Sequence, residues 1–159
     1  MTAFRESAEW RADMIDTTEA PTLPDLYERD EVAWYDAMVE LLEWERHEAL
    51  DFAHLKEFLQ AMSRSERQAV KSRLLILLAH WLKWEHQPEK RTGSWRATLK
   101  TQHFQLQYDL SESRVLRNYL AGAFAGVYRQ AIELAADKTG LPPETFPEIC
   151  PVTLDELLA

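Results

Sequence analysis

Arg73, His80, Lys83 and Gln87 fall together on one flank of an apolar helix near the middle of this 159-residue chain. The helix must stop at Pro88, and the chain returns with Lys90, Arg91, Ser94, Trp95 and Arg96 at the start of the next helix. The unbonded N–H groups of that start add partial positive charge. Cations, an indole N–H and a helix N-terminus brought to one spot would hold an anion or an acidic peptide. The candidate binding corner is therefore Arg73, His80, Lys83, Gln87, Arg91, Ser94, Trp95 and Arg96. The competing expectation is structural: Trp81, Trp84 and Trp95 cement two helices, and Arg91 and Arg96 pair with the acidic first and second helices.

Other chemistry finds little support. The histidines are His47, His54, His80, His86 and His103, and no two stand four apart on one helix, so no zinc or di-iron pattern is expected. Cys150 lies between Ile149 and Pro151, a setting that suits a small buried hydrophobe better than a nucleophile. No glycine-rich phosphate loop is present. His103 falls in an apolar stripe and reads as a hydrogen-bonded core histidine. No catalytic residue, metal ligand or cofactor is assigned.

These residues must be positioned by helices. Only four glycines occur in the chain, and Leu, Ala, Glu, Arg and Gln dominate it. Hydrophobic residues make up 46%, which suits a globular all-α domain rather than a disordered one. The net charge of −9 disfavours non-specific nucleic-acid binding, although residues 64–103 carry nine bases against three acids. A single cysteine excludes an internal disulfide and fits a reducing compartment. No secretory signal is legible, and the longest apolar run, Leu74–Ala79, is too short to span a bilayer; a cytoplasmic location is expected.

Residues 1–22 read as a leader, with Phe4, Ala8, Trp10 and Met14 able to form one amphipathic helix, and Pro21 and Pro24 mark a linker. Residues 23–159 read as one domain, an antiparallel up-down bundle of about five helices with an irregular proline-rich tail. The first long helix starts near Asp25 or Asp30 and runs to about Arg46, burying Trp34, Met38, Leu41, Leu42 and Trp44. A second helix follows Asp51, with Leu55, Phe58, Leu59 and Met62 as its buried stripe. Ser63 and Glu66 match a capping box and predict the start of a third. Val70, Leu74, Leu77, Trp81 and Trp84 then make one seam, with Leu75, Leu78 and Leu82 beside it, which makes this the central helix.

Thr92 or Ser94 caps the fourth helix, whose inward residues are Trp95, Leu99, His103, Leu106 and Leu110. Ser113 caps the fifth, with Leu116, Leu120, Ala123, Val127, Ala131 and Leu134 as its stripe. Gly122 and Gly126 predict a close helix approach, and Gly140 a left-handed stop. In the tail, Phe146, Ile149 and Cys150 are expected to dock, and Thr153 to open a last short turn.

LYERDEVAWY, SERQAVKSRLLILLAHWLKWEHQPEKRTGSWRATL and FPEICPVTLDELL together resemble a bacterial family known as domain of unknown function twenty-nine, over Leu26–Leu158. The resemblance implies a helical bundle found in bacteria, cyanobacteria and proteobacteria among them. It implies no activity, and no catalytic residue carries over.

The first functional expectation is a non-enzymatic protein–protein interaction module, with a protein partner or with self-association as a homodimer, and no membrane. The second is an anion- or nucleic-acid-associated protein that uses the basic Trp/Arg corner at residues 83–100. The third is an enzyme with an unrecognised site there, using His80 as a base.

Overall fold

The computed structural model describes residues 21–159. Nearly all of the expected leader lies outside the described residues. All regular structure among them is helical, and the chain divides into two compact units, Met1–Leu59 and Gln60–Ala159. The protein is an all-α bundle protein, as its composition predicts.

In the first unit, α1 spans Leu23–Arg29 and α2 spans Glu31–Glu43. The expected first helix is therefore two. Thr22 caps α1 reciprocally with Asp25, and Pro24 sits in the first turn, where a missing N–H costs nothing. The linker thus ends earlier than the prolines suggest. Asp30 caps α2, its carboxylate accepting from Ala33 N at 3.1 Å.

The other end of α2 closes with Arg46 N donating to Leu41 O (2.8 Å) and Glu45 N to Leu42 O (3.1 Å), the reversal usually made with glycine. Here Glu45 takes the left-handed position at φ 55°. Trp34 and Met38 are buried as expected, but Leu42, one turn further along the same face, and Trp44, beyond the end of α2, are exposed.

The first unit gathers around Trp34. Tyr27, Tyr35 and Phe58 surround its indole at centroid distances of 5.0, 5.7 and 6.0 Å. Its Nε1 donates to Asp51 Oδ2 at 3.4 Å. The same carboxylate holds His54 Nδ1 at 2.6 Å and accepts from His54 N. Burial alone would raise the Asp51 pKa, but the bonds from His54 and Trp34 outweigh it and hold this carboxyl below the usual carboxylate range.

The unfolded chain therefore takes up the Asp51 proton before the folded one does. Stability from this group is intact above about pH 4 and is lost as pH falls through the lowered folded value. In urea titrations between pH 6 and 2.5, the acid-side loss of unfolding free energy should be smaller in Asp51→Asn than in the parent. Equal slopes would show that Asp51 contributes nothing to it.

Helix α3 runs unbroken from Phe52 to His86. The expected second and third helices are one, because no glycine or proline occurs between Asp51 and Gln87 to end it. Ser63 makes no cap; its hydroxyl and carbonyl oxygen accept from Arg67 within the helix. Leu59 and Met62, expected in a buried stripe, are exposed, while Leu55 and Phe58 are partly covered.

In the second unit, Val70, Leu74, Leu77, Leu78 and Leu82 of α3 form the core with residues of two further helices. These are α4 (Gly93–Glu112), which supplies Leu106 and Leu110, and α5 (Arg114–Thr139), which supplies Leu120, Val127 and Ala131. Trp95, Leu99 and His103 are only partly covered, as are Trp81 and Trp84. His103 makes no hydrogen bond among the described residues and packs edge-on at 5.7 Å from Phe104. Thr92 and Ser113 cap α4 and α5 (3.3 and 3.2 Å), and Gly140 closes α5 at φ 72°.

Among the described residues, Gly122 and Gly126 make no close helix approach: a Cβ added at either would meet nothing within 4 Å. The tail docks through Phe146, half-buried Cys150, Leu154 of the last turn, α6 (Leu154–Leu157), which Thr153 caps, and Leu158 just after it. Ile149 is the exception, at 82% exposure. Tyr128 is buried and donates its hydroxyl to Pro147 O at 2.8 Å; burial, with a smaller push from Cys150, raises its pKa to about 12.

Candidate functional site

The corner forms where α3 reverses into α4. Pro88 ends α3, a 3₁₀ turn covers Pro88–Lys90, and Thr92 starts α4. The last carbonyls of α3 have no intrahelical partners. Arg91 supplies one, its Nε donating to Trp84 O at 2.8 Å. Its guanidinium lies 4.8 Å from the Trp84 ring, and that of Arg96 lies 5.6 Å from the same ring. One residue back, Lys83 Nζ stands 4.1 Å from the ring centre of Trp95. Each helix thus lends a tryptophan to the other's cations, a contact worth about 0.5–2 kcal/mol depending on exposure.

The expected eight residues do not form one cluster. Arg73 turns to α4 and pairs with Asp109 at 2.7 Å. Gln87 is buried and donates to Thr139 O (3.4 Å), one of the terminal carbonyls of α5. Ser94 is exposed and shares a hydrogen bond with the Thr92 hydroxyl at 2.9 Å. His80 places Nδ1 3.0 Å from Ile76 O, so Nδ1 is the donor and Nε2 the remaining acceptor in the neutral ring. Arg91 and Arg96 are exposed, and neither they nor Lys83 have a carboxylate within 4.0 Å among the described residues.

Lys83 is 6% exposed. Burial, then the charge of Lys138 on α5, lowers its pKa. Burial also lowers that of His80, opposed by the bond to Ile76 and reinforced by the charges of Lys83 and Lys138. Lys138, in the last turn of α5, is not among the eight residues expected at the corner. It stands 55 residues from Lys83, and no local signal links the two.

Two other surfaces were not foreseen. In the first unit, Val32 and Val39 lie two turns apart on the face of α2 opposite Trp34 and Met38, and Phe52 and Leu59 lie two turns apart on α3. With Leu42 and Trp44, they account for six of the eleven large hydrophobic side chains exposed among the described residues, so exposed apolar surface is concentrated in this unit. In the second unit, a groove of about 630 Å³ lies between α5 and the tail, lined by Ala121, Phe124, Tyr128, Ile149, Cys150 and Val152 among others. The Arg117–Asp155 pair (2.6 Å) lies along it. Burial raises the Cys150 thiol pKa, which makes that sulfur a poor nucleophile.

No helix among the described residues is long and apolar enough to cross a membrane. The model of the family Domain of unknown function DUF29 matches residues 26–159. No curated protein and no solved structure matches the chain.

Proposed function

Since the chain belongs to the DUF29 family, whose description assigns no activity, we propose on physical grounds that the protein is a non-enzymatic interaction module whose first unit takes a basic, amphipathic helical segment of a partner protein. The observation that carries this reading is the outward row of Val32 and Val39 on α2, set opposite the face that α2 already buries, with Phe52 and Leu59 on α3. A helix with apolar residues on both faces is a helix with a further contact to make.

Charge selects the occupant. Residues 21–59 hold eleven carboxylates and three Lys or Arg, a net of −8. Two such surfaces repel each other, so a second copy fits poorly and a cationic segment fits well. A short Leu/Lys amphipathic peptide tests the reading by fluorescence anisotropy, with a Leu/Glu peptide of the same pattern as control. The basic peptide should bind, and Val39→Lys with Leu59→Lys should weaken it by about tenfold or more, since each removes about 1.5–3 kcal/mol of apolar burial and adds like charge. Equal binding of both peptides, or no change in the double variant, would sink the reading, and a concentration-dependent dimer by light scattering would replace the partner with a second copy.

A further inference from the structure

We infer that Lys83 and Lys138, with His80 beside them, form a binding site for a phosphate group, either inorganic phosphate or a small phosphate monoester.

Lys83 is the starting point. In a chain with nine more acids than Lys and Arg, this lysine is more than nine-tenths buried and has no carboxylate within 4.0 Å among the described residues. Its ammonium has one recorded neighbour of favourable charge, the face of Trp95 at 4.1 Å. Its other electrostatic neighbour is a second lysine, Lys138. Burying a cation next to another cation costs stability, and a protein that only needed to cement α3 to α4 could do so with an aliphatic chain of the same length.

The ammonium is reachable. Among the described residues, the one fully enclosed side-chain nitrogen or oxygen without a partner is Gln102 Oε1. Lys83 Nζ makes no hydrogen bond among the described residues and is not one of the fully enclosed atoms, so part of it stays open to solvent although its stem is covered. The N–H groups turned away from the Trp95 ring are free to donate there. Lys138 is exposed and offers three more. The two helix ends are in contact: Gln87, one turn beyond Lys83, donates to the carbonyl of Thr139, the residue after Lys138, at 3.4 Å. That contact ties the end of α3 to the end of α5 and keeps the two ammonium groups on facing elements.

His80 decides between anions. Its Nδ1 is committed to Ile76 O, which leaves Nε2 as a lone pair. The neighbouring cations and burial favour the neutral ring. A lone pair repels sulfate or a carboxylate, which bring only acceptors. A phosphate monoanion brings its own O–H, which can donate to Nε2 while its other oxygens accept from the two lysines. With a second pKa of about 6, a phosphate monoester supplies that protonated form at and just below neutral pH. Arg91 and Arg96, engaged with Trp84, lie outside this set.

The full chain is titrated with inorganic phosphate at constant ionic strength, read by calorimetry and by tryptophan emission, to which Trp95 beside Lys83 contributes as one of six tryptophans. Glucose 6-phosphate and sulfate are parallel arms. Saturable binding is expected for the phosphate group, with sulfate weaker by about tenfold or more. The two phosphate arms distinguish a free ion from a monoester. Lys83→Met and Lys138→Glu should each weaken phosphate by about tenfold or more, while Arg91→Glu with Arg96→Glu should leave it within about twofold. Lys138 is exposed, so Lys138→Glu keeps the test valid if Lys83→Met fails to fold. A response that never saturates, sulfate binding as tightly as phosphate, or Lys138→Glu binding like the parent would each overturn the proposal. Loss of binding in the arginine double variant with Lys83→Met unaffected would move the site to the arginines and overturn it equally.

Discussion

Trp34→Ala is expected to lower the unfolding free energy by about 3–5 kcal/mol, read from urea unfolding followed by far-UV circular dichroism. Trp34 is 1% exposed and is the largest side chain enclosed in the first unit. Its removal takes away more than area. Tyr27, Tyr35 and Phe58 each lose the ring they pack on edge. Asp51, whose side chain is nearly covered, loses the indole N–H and keeps only His54 as a partner. Trp34→Phe separates the two contributions, because it retains most of the aromatic packing and deletes the donor. It should cost less than the alanine variant, and much of its cost should appear as a smaller acid-side dependence of stability. A Trp34→Ala loss under about 1 kcal/mol would mean that the aromatic cluster does not organise this unit.

The parts of the fold that were legible are those fixed by a few consecutive residues. Asp30, Thr92, Ser113 and Thr153 each start a helix through a bond to a backbone N–H three residues on, and Gly140 stops one in a left-handed conformation. Such interactions need nothing from the rest of the chain, so a single sequence displays them. What was illegible depends on what covers a surface. The stripe through Leu59 and Met62 has the spacing of a buried face, but spacing does not state whether a neighbour arrives, and both side chains are exposed. Gly122 and Gly126 likewise have the spacing of a close contact, yet a Cβ at either would meet nothing within 4 Å among the described residues.

The corner shows the same division. The sequence placed the right kinds of residue at the α3–α4 reversal, since Lys83, Arg91, Trp95 and Arg96 are near neighbours along the chain. It could not sort them. Arg73 is drawn away by Asp109, 36 residues on, and Lys83 is approached by Lys138, 55 residues on. Trp84 offers the guanidinium groups of Arg91 and Arg96 an aromatic face, its carbonyl holds Arg91 in place, and neither has a carboxylate within 4.0 Å among the described residues. A cation–π contact satisfies a guanidinium without neutralising it, so the corner remains electropositive.

Arg64→Pro puts the continuity of α3 to the test. If a helix began at Ser63, as the Ser63/Glu66 pattern predicts, Arg64 would occupy its first position, where proline is well tolerated and the substitution would be close to neutral. In the structure Arg64 lies twelve residues inside a helix that begins at Phe52. A proline there deletes one hydrogen bond to the preceding turn and drives its ring into the carbonyl of Gln60, a cost of about 3 kcal/mol or more. The side chain of Arg64 is exposed, so the change disturbs no core packing and the whole effect belongs to the backbone. Arg64→Ala isolates the loss of the side chain and should fall within about 0.5 kcal/mol of the parent. A large loss for proline with none for alanine, both measured by urea unfolding, is the outcome that a single helix requires. Two neutral variants would mean that the chain breaks at Ser63 after all, because no continuous α-helix accommodates an interior proline without that penalty.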